Sequence, residues 1–438
     1  MITYLAEGAT GTFFDTRLAI ANPTNTQALV LSRLQRADGV VVPVYTVVAA
    51  HSRATIDVET VPDMSSADFS TLIEADVQVV VDRTMTWDQT GFGSHAERGI
   101  LTRTATQWYL AEGATHGAFS LFYLLQNPGT QEADVEITYL LPAPAAPIVL
   151  RYPVPGGTRL TIPVDDVPGL SETDVSASLR SRNSVPFVAE RAMYFSRPNQ
   201  PFAAGHESAG VTAPATRWFL AEGATGSFFN TFILIANPST QEASVDMQYL
   251  LTGGQVVGRH HDIAPQSRLT LNAALEDPAL SSAAFSTVVN SANNVPIIVE
   301  RAMWWPADGN GWYEAHNSPG ETTTGVRWAM GEGESGGARN TQTYILIANT
   351  SGFAGAARVT LLFEDGTTAE KTFDLPANSR TNVDTGSQFP AAAGKRYGAV
   401  VESLGSTPAA LVVERAMYSD AGGVTWAAGT NALATKLQ

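Results

Sequence analysis

Two segments of the chain alternate polar and apolar residues with a period of two. Residues 244–249 read Ser-Val-Asp-Met-Gln-Tyr, and residues 134–139 read Asp-Val-Glu-Ile-Thr-Tyr. Because successive side chains of a strand point to opposite faces of a sheet, this pattern is typical of a strand with one buried and one solvated face. Half-buried strands of this kind belong to antiparallel sheets.

Denser apolar segments precede these strands and end at an asparagine. Three of them finish in Asn-Pro, at Asn22-Pro23, Asn127-Pro128 and Asn237-Pro238, whereas the fourth finishes in Asn349-Thr350. Proline fixes φ and has no backbone N–H, so Asn-Pro predicts the end of a strand and the start of a turn. The variable hairpins that follow, such as Asp365-Gly366, also indicate strands joined by short turns.

These elements recur because the chain contains four copies of one sequence unit. The motif Trp-x-Leu-Ala-Glu-Gly begins at Trp108 and Trp218, a truncated copy begins at Tyr4, and a divergent copy begins at Trp328. A Ser/Thr-Arg pair and a closing segment related to Glu-Arg-Ala-Met follow in the same order in each copy. The predicted repeats are residues 1–107, 108–217, 218–327 and 328–438, and the last is expected to be a divergent C-terminal cap.

The length of the repeat predicts the fold class. Trp108, Trp218 and Trp328 lie 110 residues apart, which corresponds to a small β-domain and not to one coil of a solenoid. Each copy offers about seven short strand segments with turn signals about every 8–12 residues. We expect an all-β fold of four tandem immunoglobulin-like antiparallel β-sandwich domains. The joints at 102–107, 211–217 and 322–327 are short and threonine-rich, so we expect an elongated, semi-rigid array.

The combined motifs resemble a repeat module of unknown function that occurs in tandem in secreted and cell-surface proteins of high-GC bacteria. The resemblance rests on Trp-x-Leu-Ala-Glu-Gly, Asn-Pro, Ser-Arg, Glu-Arg-Ala-Met-Tyr and Gly-His-x-Ser, together with the closing residues 429–437. It covers essentially the whole chain. The resemblance implies an extracellular location and a supporting role, and it assigns no catalytic residues.

Composition narrows the classes of function. The chain of 438 residues has 26 basic and 42 acidic residues, a formal net charge of −16 and no cysteine. This acidity argues against nucleic acid and anionic membrane surfaces as partners, because both select clustered Lys and Arg. Without cysteine there are no disulfides, thiolate zinc sites or cysteine nucleophiles. No apolar run reaches the roughly 18 residues of a membrane span, and we expect any export signal to have been removed or to lie upstream.

Charged residues at the ends of two apolar strand faces predict internal ion pairs. In the third repeat, Glu222 shares a face with Trp218 and Leu220, and Arg301 shares a face with Met303. Burying either charge alone would cost several kcal/mol, and arginine can hold a carboxylate with two hydrogen bonds. We therefore predict four structural pairs: Glu7–Arg83, Glu112–Arg191, Glu222–Arg301 and Glu332–Arg415. Four equivalent copies argue against a catalytic acid or a metal ligand at this glutamate.

Other candidates for chemistry carry less weight. Residues 333–337, Gly-Glu-Ser-Gly-Gly, resemble the nucleophile segment of trypsin-like proteases, but the fourth repeat contains no histidine to serve as a base. His95, His206 and His316 occupy equivalent positions, where a hydrogen-bonded loop histidine is favoured over a metal ligand. We predict no metal site and no cofactor, with calcium at the acidic turns Asp165-Asp166 or Glu276-Asp277 as the open alternative.

Aromatic residues cluster in the third repeat. Trp304 takes the place of Tyr194 and Tyr418 in other copies and is therefore expected to be framework. The rest of the cluster is a candidate for an exposed patch that stacks on sugar rings. Its members are Trp305, Trp312 and Tyr313.

The sequence therefore predicts a non-enzymatic extracellular structural or adhesive protein, such as a stalk, a surface-layer component or a filament component. Repeated domains extend reach and present repeated faces, and exposed sheet edges allow self-association. Candidate partners are further copies of the chain, or glycans and proteins of the cell surface. The alternative hypothesis is a glycan-binding accessory module of a secreted hydrolase.

Overall fold

The computed structural model describes residues 1–87, 93–101, 104–306 and 312–437. Almost all regular structure within them is β-strand, and the helical elements are turns of three or four residues. The all-β fold class predicted from the alternating pattern is therefore confirmed. Residues 102 and 103 of the first predicted joint lie outside the described residues.

The first repeat contains two antiparallel sheets. Its elements are β1 (Ile2–Leu5), β2 (Ala9–Thr10), β3 (Phe14–Asn22), β4 (Ala28–Arg36), β5 (Val41–Val48), β6 (Ser52–Asp57), a 3-10 turn (Val58–Thr60), β7 (Ala67–Ala75), β8 (Val80–Trp87) and β9 (Ser94–Arg98). The outer sheet has the order β1-β7-β4-β5, with β2 beside β7. The inner sheet has the order β6-β3-β8-β9 and ends on a strand at the centre of the molecule.

The second repeat has the same two sheets. Its strands are β10 (Gln107–Leu110), β11 (Phe119–Asn127), β12 (Ala133–Pro142), β13 (Ile148–Val154), β14 (Thr158–Pro163), β15 (Ser176–Ser181), β16 (Val188–Arg197) and β17 (Gln200–Ala209). The outer sheet has the order β10-β15-β12-β13, and the inner sheet has the order β14-β11-β16-β17.

The third repeat follows the same plan with one short helix. Its elements are β18 (Arg217–Leu220), β19 (Asn230–Asn237), β20 (Ala243–Leu251), β21 (Val256–Ile263), β22 (Ser267–Asn272), α1 (Ala273–Glu276), a 3-10 turn (Pro278–Leu280), β23 (Phe285–Ser291), β24 (Ile298–Trp305) and β25 (Glu314–Pro319). The outer order is β18-β23-β20-β21, and the inner order is β22-β19-β24-β25.

The fourth repeat has a short second strand like that of the first repeat and adds a short strand at its C-terminal end. Its elements are β26 (Arg327–Met330), β27 (Glu334–Ser335), β28 (Gln342–Asn349), β29 (Gly355–Phe363), β30 (Thr368–Leu375), β31 (Ser379–Asp384), α2 (Thr385–Gln388), a 3-10 turn (Pro390–Ala392), β32 (Lys395–Ser403), β33 (Leu411–Ala421), β34 (Val424–Leu433) and β35 (Thr435–Lys436). The outer order is β30-β29-β32-β26-β35, and the inner order is β31-β28-β33-β34. The immunoglobulin-like connectivity and the domain boundaries stay predictions.

The core of each repeat lies between its two sheets. In β12 the alternating residues Val135, Ile137 and Tyr139 are buried, and the residues between them are less buried, as the sequence pattern predicts. Tyr139 stacks on Tyr123 of the inner sheet with ring centroids 6.0 Å apart. This contact shows the two sheets packing face to face through the apolar sides of their strands.

The asparagine that ends the first inner strand fixes the following turn. Asn237 is fully buried, and its Nδ2 donates to the carbonyl oxygens of Gln241 and Ile263 at 2.8 and 3.0 Å. Its Oδ1 accepts from the N–H of Ser239 at 3.0 Å. Asn349, which lacks the following proline, makes the same type of contacts. The asparagine side chain therefore holds the turn even where proline is absent.

The four repeats close into a ring. The closing strands pack in the order β9, β17, β25 and β34, and β34 packs against β9. The first and fourth repeats also meet through Arg53 Nη1 and Glu364 Oε1, which lie 2.9 Å apart. The elongated array expected from the sequence is therefore wrong. All six residues of β25 are buried, so this strand needs neighbouring repeats on the side that its own core does not cover.

Candidate functional site

Buried charged side chains meet wherever one repeat packs against the next. We number these contacts junction 1 (repeats 1 and 2), junction 2 (repeats 2 and 3), junction 3 (repeats 3 and 4) and junction 4 (repeats 4 and 1). At junction 1, Glu190 Oε2 of the second repeat lies 2.8 Å from Arg83 Nη1 of the first. Glu190 also accepts hydrogen bonds from the N–H groups of Ala6 and Glu7, both at 2.8 Å. All four residues are buried, so the contact that joins the repeats is desolvated.

A carboxylate takes this position at the other three junctions as well. The contacts are Ala111 N to Glu300 Oε1 at 2.6 Å, Ala221 N to Glu414 Oε1 at 2.7 Å, and Gly331 N to Asp82 Oδ2 at 2.9 Å. The opening motif of each repeat therefore donates its backbone N–H groups to a carboxylate of the repeat that packs against it.

An arginine from the Ser/Thr-Arg segment binds the same motif from the carbonyl side. The contacts are Arg159 Nη1 to Gly8 O at 2.8 Å, Arg268 Nη1 to Gly113 O at 2.6 Å, Arg380 Nη1 to Gly223 O, and Arg53 Nε to Gly331 O at 3.2 Å. Each arginine comes from the neighbouring repeat. The short irregular segment after the opening strand thus has donors and acceptors bound by another repeat, which satisfies buried backbone groups that its own sheet leaves unpaired.

The structure brings the predicted ion-pair partners together in three repeats. The distances are 2.8 Å for Arg301–Glu222, 3.6 Å for Arg83–Glu7 and 3.6 Å for Arg191–Glu112. At junctions 1 and 2 a glutamate of the neighbouring repeat lies closer to the arginine, at 2.8 and 2.6 Å. The arginine therefore connects two repeats, in addition to holding the opening motif of its own repeat.

The fourth predicted pair, Glu332–Arg415, is wrong. Glu332 Oε2 lies 3.1 Å from Arg53 Nη2, and Glu332 Oε1 lies 3.4 Å from Arg17 Nη2. Arg415 Nη1 instead donates to Thr430 Oγ1 at 2.8 Å. The first repeat supplies the two arginines that lie within ion-pair distance of this glutamate, and the Arg415 charge acts on its carboxylate from further away.

A histidine and an aromatic side chain cover the opening-motif glutamate at junctions 1 and 3. At junction 1, His95 Nε2 lies 3.4 Å from Glu7 Oε2, and the Tyr194 hydroxyl donates to Glu7 Oε1 at 3.3 Å. The equivalent distances at junction 3 are 3.6 Å for His316–Glu222 and 3.3 Å for Tyr418–Glu222. Burial lowers the pKa of His95 well below its ordinary value, and the nearby Arg83 charge lowers that pKa further. His95 is therefore neutral near pH 7 and acts as a hydrogen-bonding side chain.

One group of side chains at junction 1 has the composition of a metal site. Ligand atoms of Glu7, His95 and Glu207 lie within 4.8 Å of one another. Arg83 Nη2 contacts Glu207 and lies 3.6 Å from Glu7 Oε2, so a guanidinium already neutralises both carboxylates from within the group. Burial raises the pKa of Glu207 well above its ordinary value, although Arg83 opposes this. Arg83 therefore supplies, within this group, positive charge of the kind that a metal cation would supply.

Two further glutamates lie among the closing strands at the centre of the ring. Glu314 on β25 accepts from the N–H of Ser94 on β9 at 2.7 Å and of Gly205 on β17 at 2.9 Å. Glu97 on β9 accepts from the N–H of Ala209 on β17 at 2.8 Å. Burial raises the pKa of Glu97 to about 7 and the pKa of Glu314 well above its ordinary value. Single carboxyl groups thus hold strands of different repeats together along the axis.

The predicted sugar-stacking patch is wrong for Trp305. Its ring is 1% exposed, and its Nε1 donates to the Trp426 carbonyl of the fourth repeat at 2.8 Å. The ring of Tyr418, also in the fourth repeat, lies 5.4 Å away. Trp305 is buried because its ring fills the space between two repeats.

Trp312 and Tyr313 also contact protein instead of forming an open platform. Trp312 packs against Trp304 with ring centroids 5.0 Å apart, and its Nε1 donates to Asn230 Oδ1 at 3.0 Å. The Arg197 guanidinium lies 4.0 Å from the Tyr313 ring centre. Both residues are half-buried. Trp312 also lies 5.9 Å from the Phe195 ring of the second repeat, so Trp312 and Tyr313 belong to the contact between the second and third repeats.

The acidic turns considered for calcium use their oxygens within the protein. Asp165 Oδ2 accepts from the Leu121 N–H at 2.7 Å. Glu276 Oε2 lies 2.6 Å from His261 Nε2, and Asp277 forms an ion pair with Arg259. These contacts give the carboxylates a structural role in the turns.

The sequence reasoning missed the partners Glu190, Glu300 and Glu414, although a signal was present. Each of them directly precedes the arginine of the closing Glu-Arg-Ala-Met segment. Neighbouring residues of a strand point to opposite faces of the sheet. If the arginine points into the core of its repeat, the glutamate before it must point to the outward face of the same sheet. A charged residue on that outward face, followed by Ala at the next outward position, indicates a surface that another repeat covers.

A comparison with protein-family models found no match, and neither did a comparison with curated proteins. Among solved structures, the chain is similar to the crystal structure of Thermotoga maritima 1070, with 17% identity over 26% of this chain and 97% of that chain and a TM-score of 0.23. It is similar to the Anabaena sensory rhodopsin transducer, with 26% identity over 21% of this chain and 99% of that chain and a TM-score of 0.18.

A third solved structure spans most of the chain. It is the tetra-tandem repeat in the extending region of a large adhesion protein, with 12% identity over 94% of this chain and 92% of that chain and a TM-score of 0.12. At these TM-scores the likenesses assign no function. Across the part of the chain that the structure describes, no helix is long and apolar enough to cross a membrane.

Proposed function

We propose that this chain is a non-enzymatic structural protein of the cell exterior, and that its ring of four repeats is a building block that associates with a second copy. The charged groups at the four junctions support the non-enzymatic part, because they are buried and engaged in holding repeats together. The self-association is inferred from an apolar outer face of the first repeat, whose equivalent positions in the other repeats are mostly charged or polar.

The outer sheet of the first repeat presents apolar side chains to solvent. On β4 and β5, Leu29 pairs with Val47 and Leu31 pairs with Tyr45. Leu29, Tyr45 and Val47 are 55%, 79% and 61% exposed, and the neighbouring Ile2 is 44% exposed. These five residues are called the apolar face below. Contiguous exposed apolar surface of this kind marks an interaction site in a soluble protein.

The same positions in the other three repeats are mostly charged or polar. The pairs that replace Leu29–Val47 are Asp134–Pro153, Ser244–Asp262 and Ala356–Asp374, and those that replace Leu31–Tyr45 are Glu136–Arg151, Asp246–His260 and Arg358–Thr372. The sheet geometry therefore does not require apolar residues at these positions. Their presence in one repeat fits contact with another molecule better than a requirement of the fold.

A second copy is the occupant that suits this face. The face also contains an ion pair, because Glu74 lies between Ile2 and Leu31 and is 2.9 Å from Arg33, with 42% of each charged side chain exposed. In a dimer with a two-fold axis, the apolar face of one copy contacts the same face of the other copy. Every charge on the face therefore needs an opposite charge elsewhere on that face. Arg33 and Glu74 meet that requirement, because each can approach its opposite on the second copy.

Sedimentation equilibrium over a range of concentrations tests the association. We expect the unmodified protein to dimerise, and we expect a variant with Leu29→Ser and Val47→Asp to stay monomeric and folded. This variant installs the Ser244–Asp262 pair of the third repeat. Val149→Asp, which changes an exposed apolar residue on the second repeat, is the control and should dimerise normally. A protein that is monomeric at all concentrations, or a variant that associates equally well, contradicts the proposal.

The proposed exterior location has its own test. Antibody raised against the purified protein should label intact cells of the source organism, or the protein should be recovered from the medium. Signal confined to permeabilised cells would contradict this part. The glycan-binding alternative has lost the exposed aromatic patch that motivated it, because Trp305 packs against the fourth repeat and Trp312 packs against the second.

A further inference from the structure

Aromatic rings fill junctions 1 to 3, whereas junction 4 has small side chains at the equivalent positions. Each closing Glu-Arg-Ala-Met segment is followed by two residues that matter here. At junctions 1 to 3, the second residue after the methionine of one repeat packs against the first residue after the methionine of the next repeat. These ring pairs are Trp87–Tyr194 at 5.3 Å, Phe195–Trp304 at 6.2 Å and Trp305–Tyr418 at 5.4 Å. The two corresponding residues at junction 4 are Ser419 and Thr86, both small and hydroxylated.

The histidine position of junction 4 is also occupied by a small hydroxyl residue. His95, His206 and His316 pair across the sheet with the closing-segment methionines, and Thr430 pairs in the same way with Met417. A cavity of about 300 Å³ lies at this junction, and Thr86, Ser419 and Thr430 line it. This volume is at the lower end of the range for small-molecule sites. The cavity thus occupies a place that large side chains fill in the equivalent junctions.

The cavity lining carries positive charge in a protein whose net charge is −16. The charged residues among its described lining are three arginines and one carboxylate: Arg17, Arg339, Arg396 and Glu334. Arg396 Nε lies 3.4 Å from Glu334 Oε2. Arg17 Nη2 lies 3.4 Å from Glu332 Oε1, and Glu332 does not line the cavity. The side chain of Arg339 has no ion pair among the described residues. Planar guanidinium groups placed in this way suit a carboxylate or a phosphate.

We propose that the cavity at junction 4 binds a small polyhydroxylated anion, of the size and chemistry of a sugar acid or a sugar phosphate. The arginines would bind its carboxylate or phosphate. The hydroxyl groups of Thr86, Ser419 and Thr430 would exchange hydrogen bonds with its own hydroxyl groups. This site is separate from the apolar face and does not depend on the proposed self-association.

Isothermal titration calorimetry with four probes tests the site. Glucuronate and glucose 6-phosphate carry the two anionic groups, glucose is the neutral counterpart, and inorganic phosphate is the anion without a sugar. We expect at least one of the two sugar anions to bind, and to bind at least tenfold more tightly than glucose or phosphate. Binding of phosphate as tight as that of the sugar anions would overturn the sugar part. Absence of binding by all four probes would overturn the proposal.

Two variants place the binding at this cavity. Arg339→Ala removes an exposed guanidinium without disturbing a buried contact, and we expect at least a tenfold loss of affinity. Arg151→Ala, at an exposed arginine of the second repeat, is the matched control and should bind normally. Thr86→Tyr installs the residue found at positions 194 and 418, so it should fill the cavity and abolish binding while the melting temperature is kept. Binding that survives both Arg339→Ala and Thr86→Tyr would place the ligand elsewhere and overturn the assignment.

Discussion

Arg83 Nη1 and Glu190 Oε2 lie 2.8 Å apart in a buried ion pair, although the two residues belong to different repeats. The neighbouring Glu207 of the second repeat also contacts this arginine. The carboxylates of one repeat therefore depend on a cation of another for their neutralisation. For this reason the two repeats are expected to unfold together and not as independent domains.

The first prediction concerns Arg83→Met, which leaves buried carboxylates without their cation. We expect the free energy of unfolding to fall by about 3–5 kcal/mol, the usual effect of breaking a buried pair from one side. Adding Glu190→Gln removes one of the unpaired charges, so the double variant should be more stable than the sum of the single changes by about 0.5–3 kcal/mol. Urea unfolding measures all three variants.

The control for this cycle is Arg358→Met, which breaks a half-exposed pair on the fourth repeat, away from the apolar face. Arg358 and Glu402 form an ion pair with 42% and 38% of their side chains exposed. Surface pairs of this kind contribute about 0–1 kcal/mol, so the loss should be correspondingly small. Strict additivity of Arg83→Met and Glu190→Gln would show that the two residues do not interact in solution.

The second prediction concerns Asp82, which closes the ring at junction 4. Its Oδ2 accepts from the N–H groups of Gly331 and Glu332 at 2.9 and 3.0 Å. Asp82→Ala leaves both buried donors without an acceptor, which should cost roughly 1–3 kcal/mol for each group. Hydrogen exchange at these two amides should accelerate strongly. Asp38→Ala, in an exposed hairpin, should leave their exchange unchanged, and slow exchange in Asp82→Ala would show that the ring closes without this contact.

Local sequence patterns predict the strands well because they depend on neighbours along the same strand. The alternation of residues 134–139 corresponds to β12, with the apolar residues buried as expected. The asparagine turns are also local, since Asn237 binds groups within its own hairpin and the adjoining strand. These features need no knowledge of how the repeats pack against one another.

Contacts between repeats were harder to predict because a charge or a ring looks the same in a sequence whether water or another repeat covers it. Glu222 and Arg301 meet as expected, yet Glu414 of the next repeat also binds this arginine, at 3.0 Å. Trp305 was expected to lie at the surface, but the fourth repeat covers it. Ring closure depends on such long-range contacts, and the threonine-rich joints gave no sign of the direction that the chain takes.

The third prediction separates a packing role for Trp305 from a ligand-binding role. Trp305→Ala removes a buried ring that contacts Tyr418 and the Trp426 carbonyl, so we expect a loss of about 3–5 kcal/mol in the free energy of unfolding. Tyr313→Ala, at a half-buried ring, should cost much less. Calorimetric melting of both variants measures the difference. A fully stable Trp305→Ala protein would show that the ring is not packed between repeats.

The fourth prediction concerns pH and the axial carboxyl of Glu97. Burial raises the pKa of this group from its ordinary 4.5 to about 7. Between these values the folded protein keeps a proton that the unfolded chain releases, so the contribution of Glu97 to stability falls as pH rises through this window. The shift corresponds to a loss on the order of 3 kcal/mol between about pH 5 and about pH 8. Glu97→Gln cannot titrate, so its free energy of unfolding, measured by urea titration, should fall less than that of the unmodified protein over this range. Equal pH dependence in the two proteins would show that Glu97 does not hold a raised pKa, and that other groups, such as Glu314, set the response of the ring to pH.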